Sequence, residues 1–325
     1  MVPHLTTALT GPLLDLEKQI IAAQPRIEHW FRVQWHEHAA PFYTSVDLRN
    51  AGYKLAPVDT NLFPGGFNNL NPAFMPLAVQ AAQVAVEKLC TTAQRLLIIP
   101  ENHTRNLYYL QNVAALAEIL RKTGLTVRIG SLLPGLAEPL LIDLPDSHVL
   151  KLEPIQREGG RLKLRDSGAG EGRFDPCAVL LNNDLSAGVP DILKGLDPDQ
   201  TLLPPLHAGW ATRRKSTHFR VYAELAQAFA RLIGIDPWLI DPYFSVCSGV
   251  DFMARAGEDC LAIHVDELLA RIRAKYAEYG IDREPFVIVK ADAGTYGMGI
   301  MTVKRADDVR DLSRRVRNKM AVVKE

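Results

Sequence analysis

Residues Pro285 to Val303, PFVIVKADAGTYGMGIMTV, constrain this chain more than any other stretch. Phe286 to Val289 is an unbroken apolar run of aromatic and β-branched residues, the composition of a buried strand. The run ends on Lys290. Gly294, Gly297 and Gly299 then fall within six residues, and Ile300 to Val303 is a second strand-like run. The pattern predicts strand, lysine, glycine-bearing turn, strand. Glycine removes the Cβ that keeps backbone N–H groups from crowding around an anion. A lysine just ahead of the turn adds a point charge suited to phosphate. Lys290, Asp292, Gly294, Thr295, Gly297 and Gly299 are therefore the candidate set for a phosphate-bearing cofactor.

Three other glycine motifs fit less well. Gly294 and Gly299 have the spacing of a P-loop, but Ile300 and Met301 follow where that motif needs Lys-Ser/Thr and a helix. The dinucleotide fingerprint needs Gly-x-Gly-x-x-Gly between strand and helix; here the order is Gly-x-x-Gly-x-Gly with strands on both flanks. Protein kinases put the lysine after the loop. A plain hairpin would also fit the pattern, yet three glycines beside a strand-terminal lysine favour phosphate. The lysine-first hairpin resembles the ATP-grasp ligases, and that resemblance implies ATP as the ligand.

A chain of 325 residues has length for two cores. The formal net charge is zero, so no global field draws it to nucleic acid or an anionic membrane. The N-terminal MVPHLTTALT lacks the basic and apolar regions of a signal peptide, and no apolar run reaches membrane-spanning length. A cytoplasmic protein without membrane or nucleic-acid partners is expected. Cys90, Cys177, Cys247 and Cys260 form no Cys-x-x-Cys pair, which argues against a zinc site and for free thiols. No metal ligands are assigned. No feature of the sequence sets an oligomeric state.

Residues 11–38 read as two helices, with Leu13, Leu14, Ile20 and Ile21 on an apolar stripe and Pro25 in the first turn of the second. His36 and His38 flank Glu37, but residues two apart on a helix do not share a face, so no metal pair is expected. SVDLR, Ser45 to Arg49, alternates like a strand. VDTNLFPGGFNNLNP, Val58 to Pro72, is dense in Asp, Asn, Gly and Pro; it fits a capped turn and a polar substrate loop equally. A helix over 76–90, strand Leu96–Ile99, a helix to Lys122 and strand Leu125–Ile129 make a βαβ unit, hence a partly parallel sheet. Ligands in such sheets sit beyond the carboxyl ends of strands. Glu101 and Arg105 lie at one such end, where an N-cap cluster is the competing reading. Val149–Leu152 and Arg161–Leu164 read as a hairpin around Gly159-Gly160, and Ala178–Leu181 as a buried strand leading into Asn182-Asn183-Asp184. Arg213, Arg214 and Lys215 open a helix that runs to Ile233. Cations at a helix N-terminus oppose its dipole, which points to an anionic partner such as phosphate. A helix over 260–279 precedes the glycine hairpin, and 306–320 reads as a final helix.

The segments HWFRVQWHEHAAPFYTSVDLRNAGYKLAPVDTNLFPGGFNNLNP, IPENHTRNLYY and VIVKADAGTYGMGIMTV together resemble the proteobacterial glutamate–cysteine ligases of the ATP-grasp type, from about residue 10 onward. The resemblance implies an α/β fold. A partly parallel, pre-ATP-grasp-like domain over 1–205 would bind substrate. A helical segment and an incomplete ATP-grasp domain would follow over 206–325. It implies ATP-dependent joining of the L-glutamate γ-carboxylate to the L-cysteine amine through a γ-glutamyl phosphate. Arg213, Arg214 and Lys215 become catalytic candidates, and Arg49, Asn61, Asn68, Asn69, Glu101 and Arg105 substrate-binding candidates. The resemblance also implies Mg2+, held by carboxylates on strands after the glycine loop. Past Lys290 the acids are Asp292, Asp307, Asp308, Asp311 and Glu325, none in that context. The magnesium ligands are expected beyond Glu325, and the chain as given is expected to bind ATP weakly and turn over poorly. The competing classes are another ATP-grasp carboxylate–amine ligase and a non-catalytic nucleotide- or amino-acid-binding module.

Overall fold

The computed structural model describes residues 11–89, 93–102, 105–165, 173–293 and 299–321. In chain order the elements are α1 (Pro12–Ala22), α2 (Gln24–Glu37), β1 (Ser45–Asn50), β2 (Leu55–Asn61), α3 (Met75–Leu89), β3 (Arg95–Pro100), α4 (Leu107–Arg121), β4 (Thr126–Ser131) and β5 (Leu140–Asp143). There follow β6 (Val149–Glu158), β7 (Arg161–Leu164), β8 (Ala178–Asn182), β9 (Thr201–Leu203), α5 (Lys215–Ile233), α6 (Glu258–Glu278), β10 (Val287–Lys290), β11 (Ile300–Val303) and α7 (Arg314–Ala321). They gather into two compact units. One comprises Ala40–Ser45 and Asn61–Gly209, the other residues 11–39, Val46–Thr60 and 210–321.

The first unit is a mixed α/β layer structure on a mostly parallel sheet of order β5-β6-β4-β3-β8-β9, with β7 paired to β6. β3 lies parallel to both β4 and β8, β8 to β9, and β4 to β6, while β5 and β7 run antiparallel to β6. Strands covered on both faces need apolar residues throughout, and Leu96–Ile99 and Val179–Leu181 are almost fully buried. Alternate side chains feed two cores. Leu96, Ile98 and Leu180 pack with Leu110, Val113, Leu116 and Leu120 of α4; Leu97, Ile99, Val179 and Leu181 pack with Leu162, Leu164, Phe174 and Leu193. α4 ends at Gly124 in the left-handed region, φ 91, as expected for a helix stop. The sequence does not announce β5 or β9, each only three or four residues long and half-buried.

Gln200 ties the sheet where strand pairing runs out. It is 2 % exposed. Its Oε1 accepts from Leu162 N at 2.7 Å, and its Nε2 donates to the carbonyls of Leu162 and Pro176 at 2.9 and 3.0 Å.

The second unit is helical with two small hairpins. α1 and α2 join at Ala23, and Pro25 sits in the first turn of α2. Leu16, rather than the expected Ile20 and Ile21, is the buried position of α1; the two isoleucines are 40 % and 64 % exposed. Trp238 is buried against Leu16, Tyr53 and Tyr279. Ala262, Val265 and Leu269 of α6 meet Met301 and Val303 of β11, with Val309 and Met320. β10 and β11 form the antiparallel hairpin that the sequence predicts, Lys290 opposite Ile300. β10 is half-buried rather than buried, with Phe286 52 % exposed, because a two-stranded ribbon has one covered face. The final helix is broken: a 3-10 turn over Ala306–Val309 precedes α7, and Asp308 accepts from the N–H groups of Lys304 and Arg305. No described helix is long and apolar enough to cross a membrane.

Replacing Gln200 by Leu keeps the volume but leaves the buried N–H and carbonyl of Leu162 without the amide, while the Pro176 carbonyl keeps the Arg161 guanidinium at 3.1 Å. We expect a loss of about 2 to 4 kcal/mol in urea unfolding. An unchanged midpoint would mean that those backbone groups find other partners.

Candidate functional site

Three successive residues of β2 each hold a cation. Lys290 Nζ donates to the Val58 carbonyl at 2.7 Å. Lys215 Nζ lies 3.3 Å from the Asp59 carboxylate, a pair with side-chain exposures of 13 % and 32 %. Arg213 donates to the Thr60 carbonyl at 3.0 Å and to its Oγ1 at 2.6 Å. Trp210 floors the cluster, its ring 4.8 Å from the Arg213 guanidinium and 3.8 Å from the Lys215 ammonium. Each stem is half-buried. Burial pulls Arg213 below its ordinary pKa, with Asp59 opposing. Burial also lowers Lys215; Asp59 opposes it, and the charges of Lys290 and Arg213 add to it.

Asp292, which follows β10, anchors the start of α5. Its carbonyl accepts from Lys215 N at 2.9 Å, and its carboxylate takes the Ser216 N–H and Oγ–H, both at 2.7 Å. An acid at a helix N-terminus satisfies otherwise unpaired N–H groups and favours the dipole. The mismatch read from Arg213-Arg214-Lys215 is thus answered partly from within the chain. Arg214 is the extended cap residue, φ −118 and ψ 133. It points away from its neighbours, is exposed and bonds only the carbonyls of Thr212 and Arg213 among the described contacts. His218, one turn into α5, has a buried Nε2 without a hydrogen-bond partner among the described residues. Burial lowers its pKa, and Arg213 adds to that.

The first unit carries its own polar cluster at the carboxyl ends of β3 and β8, whose last residues Pro100 and Asn182 are paired. Glu101 Oε1 accepts from Asp184 N at 2.6 Å. Tyr109 Oη accepts from Glu101 N at 2.9 Å and donates to the Asn182 carbonyl at 2.6 Å. Asn182 Nδ2 donates to the Pro64 carbonyl at 2.8 Å, and Asn112 Oδ1 accepts from Phe67 N at 2.9 Å, so the network also fixes the segment after β2. Leu185 holds φ 55, a conformation that side chains resist. Burial raises the Glu101 carboxyl to about 7; the Asp184 N–H opposes this and the Asp184 charge adds to it.

The candidate residues are therefore distributed as follows. Arg213, Lys215 and Lys290 meet on β2, with Asp292 adjoining them through Ser216. Gly299 sits at the start of β11 with φ 65; Gly294, Thr295 and Gly297 lie outside the described residues. Arg49 is exposed on β1. Asn61 spends its amide on its own turn, accepting from Phe63 N at 2.9 Å and donating to Phe63 O at 3.0 Å. Asn68 and Asn69 are exposed in a 3-10 turn, and Arg105 is exposed before α4. Of the substrate candidates, Glu101 joins a partly buried network. Val58 to Thr60, read as part of a loop, is strand. Asp59, Thr60 and Ser216 were not singled out as site residues, since the side chains they pair with lie more than 70 residues away, and Trp210 and His218 because no local pattern marks them. Asn182 to Asp184 did signal themselves as polar residues at a strand exit. A shallow apolar groove of about 380 Å³ lined by Pro25, Arg26, His29 and Trp30 holds none of the candidates.

The chain is thus an α/β protein with a mostly parallel sheet in one unit and a half-buried cationic cluster in the other. A model of the family described as GshA, glutamate-cysteine ligase, matches residues 17–325. The chain belongs to the glutamate–cysteine ligase family and is a ligase enzyme that joins glutamate to cysteine. Among solved structures it is similar to the "putative gamma-glutamylcysteine synthetase" of Methylobacillus flagellatus KT, with 67 % identity and a TM-score of 0.91 over 100 % of this chain and 74 % of that one. None of the curated proteins matches it.

Glu101 makes a pH prediction. An unfolded glutamate ionises near about pH 4.3. Between there and about pH 7 the folded chain holds more protons at this site than the unfolded chain. Stability therefore falls as pH rises through that window and levels off above it. Glu101→Gln should gain on the unaltered chain across the window by about 1 to 2 kcal/mol, discounted for partial exposure. Parallel urea-midpoint curves for the two proteins would refute it.

Proposed function

We propose that ATP phosphorylates the γ-carboxylate of L-glutamate, and that the amine of L-cysteine then attacks the acyl phosphate. In the first step a carboxylate oxygen bonds to the γ-phosphorus and ADP leaves. In the second the nitrogen bonds to the carbonyl carbon, phosphate leaves and the amine proton passes to solvent. Phosphoryl transfer asks a protein mainly for positioning and for charge to offset the oxygens. The observation that carries this reading is the convergence of Arg213, Lys215 and Lys290 on Val58–Thr60. Lys290 and Lys215 neutralise the triphosphate, and Arg213, with five fixed donors, orients the transferred group. Gly294, Gly297 and Gly299 stay assigned to the phosphates by the sequence resemblance alone. Asp292 is a positioning residue that holds the start of α5.

For the amino acids we assign Glu101 to a substrate ammonium, and Arg105, Arg49, Asn68 and Asn69 to substrate carboxylates and carbonyls. Residues 1–205 supply most of the amino-acid contacts and 206–325 the phosphate contacts. A cytoplasmic location fits substrates of this kind.

Magnesium prefers several oxygen ligands in octahedral array. Asp292 already accepts two hydrogen bonds from Ser216, and Asp59 pairs with Lys215 and accepts from Thr60 N. These carboxylates do not fit a magnesium cage, and no step here passes through the ion.

Glutamate- and cysteine-dependent release of ADP tests the reaction; release driven by a different amino-acid pair would overturn it. Lys290→Ala and Lys215→Ala should weaken ATP binding by about 100-fold, whereas Arg214→Ala should leave it within about twofold. Calorimetry on variants with unchanged far-ultraviolet circular dichroism reads this. Unchanged ATP affinity in Lys290→Ala would remove that lysine from the site.

A further inference from the structure

Spacing hides a cluster of soft ligands in the second unit. Cys260 and His264 are four residues apart in the first turns of α6, so they share one face of the helix. Cys247 comes from the segment before the helix, and its sulfur lies 3.0 Å from that of Cys260. The two sulfurs and a ring nitrogen of His264 all fall within 4.8 Å of one another. His264 Nδ1 is hydrogen-bonded with Ser245 Oγ at 2.8 Å and with Glu267 Oε2 at 3.3 Å, which fixes the ring.

We infer that Cys247, Cys260 and His264 bind a soft divalent cation of the zinc type. Zinc takes thiolate sulfur at about 2.3 Å and imidazole nitrogen at about 2.0 to 2.1 Å. Ligand atoms around one such ion are then roughly 3.5 to 4 Å apart, inside the 4.8 Å that contains all three here. Small side-chain rotations would equalise the separations. Cys260 is exposed, so the fourth position opens to solvent, where water or an incoming thiol completes the tetrahedron. Two thiolates this close repel, and burial with the Cys260 contact pushes the Cys247 thiol up to about 12. A divalent cation reverses that balance: both thiol protons leave to the buffer as the two sulfur–metal bonds form. A disulfide alone would explain less, because it gives His264 no part and needs sulfurs about 2.05 Å apart. The bound ion would clip the segment around Cys247 to α6.

The test uses the full chain, stripped with chelator, reduced with a phosphine and titrated with Co2+. One equivalent should give thiolate-to-cobalt charge-transfer and tetrahedral d–d bands, which Zn2+ abolishes by displacement. Cys247→Ser and Cys260→Ser should lose the charge-transfer band, His264→Ala should weaken binding at least about tenfold, and Cys177→Ser should change nothing. No such band in the unaltered chain, or one that survives both serine substitutions, would overturn the inference. So would a reduced protein that forms the Cys247–Cys260 disulfide on oxidation but binds no cobalt. Should a serine variant fail to fold, alkylation of the unaltered chain decides: Zn2+ should protect Cys247 and Cys260 and leave Cys177 reactive. Equal alkylation with and without Zn2+ would count against the site.

Discussion

The pairing of three consecutive β2 residues with three cations organises the second unit. Val58 and Thr60 offer carbonyls and Asp59 a carboxylate, and these draw in Lys290, Arg213 and Lys215 from elements 150 or more residues downstream. A half-buried cation normally resists such gathering, because burial and like charge both disfavour it. Here the lysine and arginine stems lie against the Trp210 ring and the strand, and the heads are held by hydrogen bonds. Asp59 pairs with one of the three charges, and the Asp292 carboxylate is held by Ser216 beside them. The remaining positive charge, with His218 kept from adding another, gives an anion a reason to bind.

The first unit solves a different problem. Its central strands are apolar to the end and then release polar residues where the backbone leaves the sheet. Buried polar groups must find partners, and here they find one another. Tyr109 bridges Glu101 and Asn182, Asn182 reaches Pro64, and Asn112 holds Phe67. The result is a fixed set of strand tips rather than loose loops. Glu101 is the titratable member of that set, and its raised pKa follows from the same enclosure.

Legibility in the sequence tracked the range of the interaction. Strands β3, β4 and β8, the helix stops at Gly124 and Gly234, and the β10–β11 hairpin follow from local pattern, because apolar runs and glycines act on their neighbours. The half-burial of Phe286 did not, since a run of apolar residues is the same whether one or both faces are covered. The split of the last helix was hidden because Asp307 and Asp308 suit a helix start and also a 3-10 turn. At the site, Lys290 announced itself by position, and the basic triplet by composition. Asp59 did not, because the lysine it pairs with is distant in sequence, and Trp210 did not, because only the fold lays its ring against Arg213 and Lys215. The proximity of Cys247 and Cys260 was hidden for the same reason: they match no short motif, yet a loop returns one to the other.

The basic triplet shows how backbone geometry sorts residues that composition treats alike. Arg214 is extended, so successive side chains leave on opposite sides. Arg213 and Lys215 therefore face Thr60 and Asp59 together while Arg214 faces solvent. The same turn sets Lys215 N and Ser216 N toward Asp292, so a residue just past the β10 strand caps the helix that carries the cations. Hairpin, helix start and β2 are thus joined by charge-assisted hydrogen bonds rather than by apolar packing. Such bonds are directional and short-ranged. They hold the cationic heads in register with one another, and a multiply charged phosphate group rewards that register more than a single carboxylate does, because it can engage several donors at once.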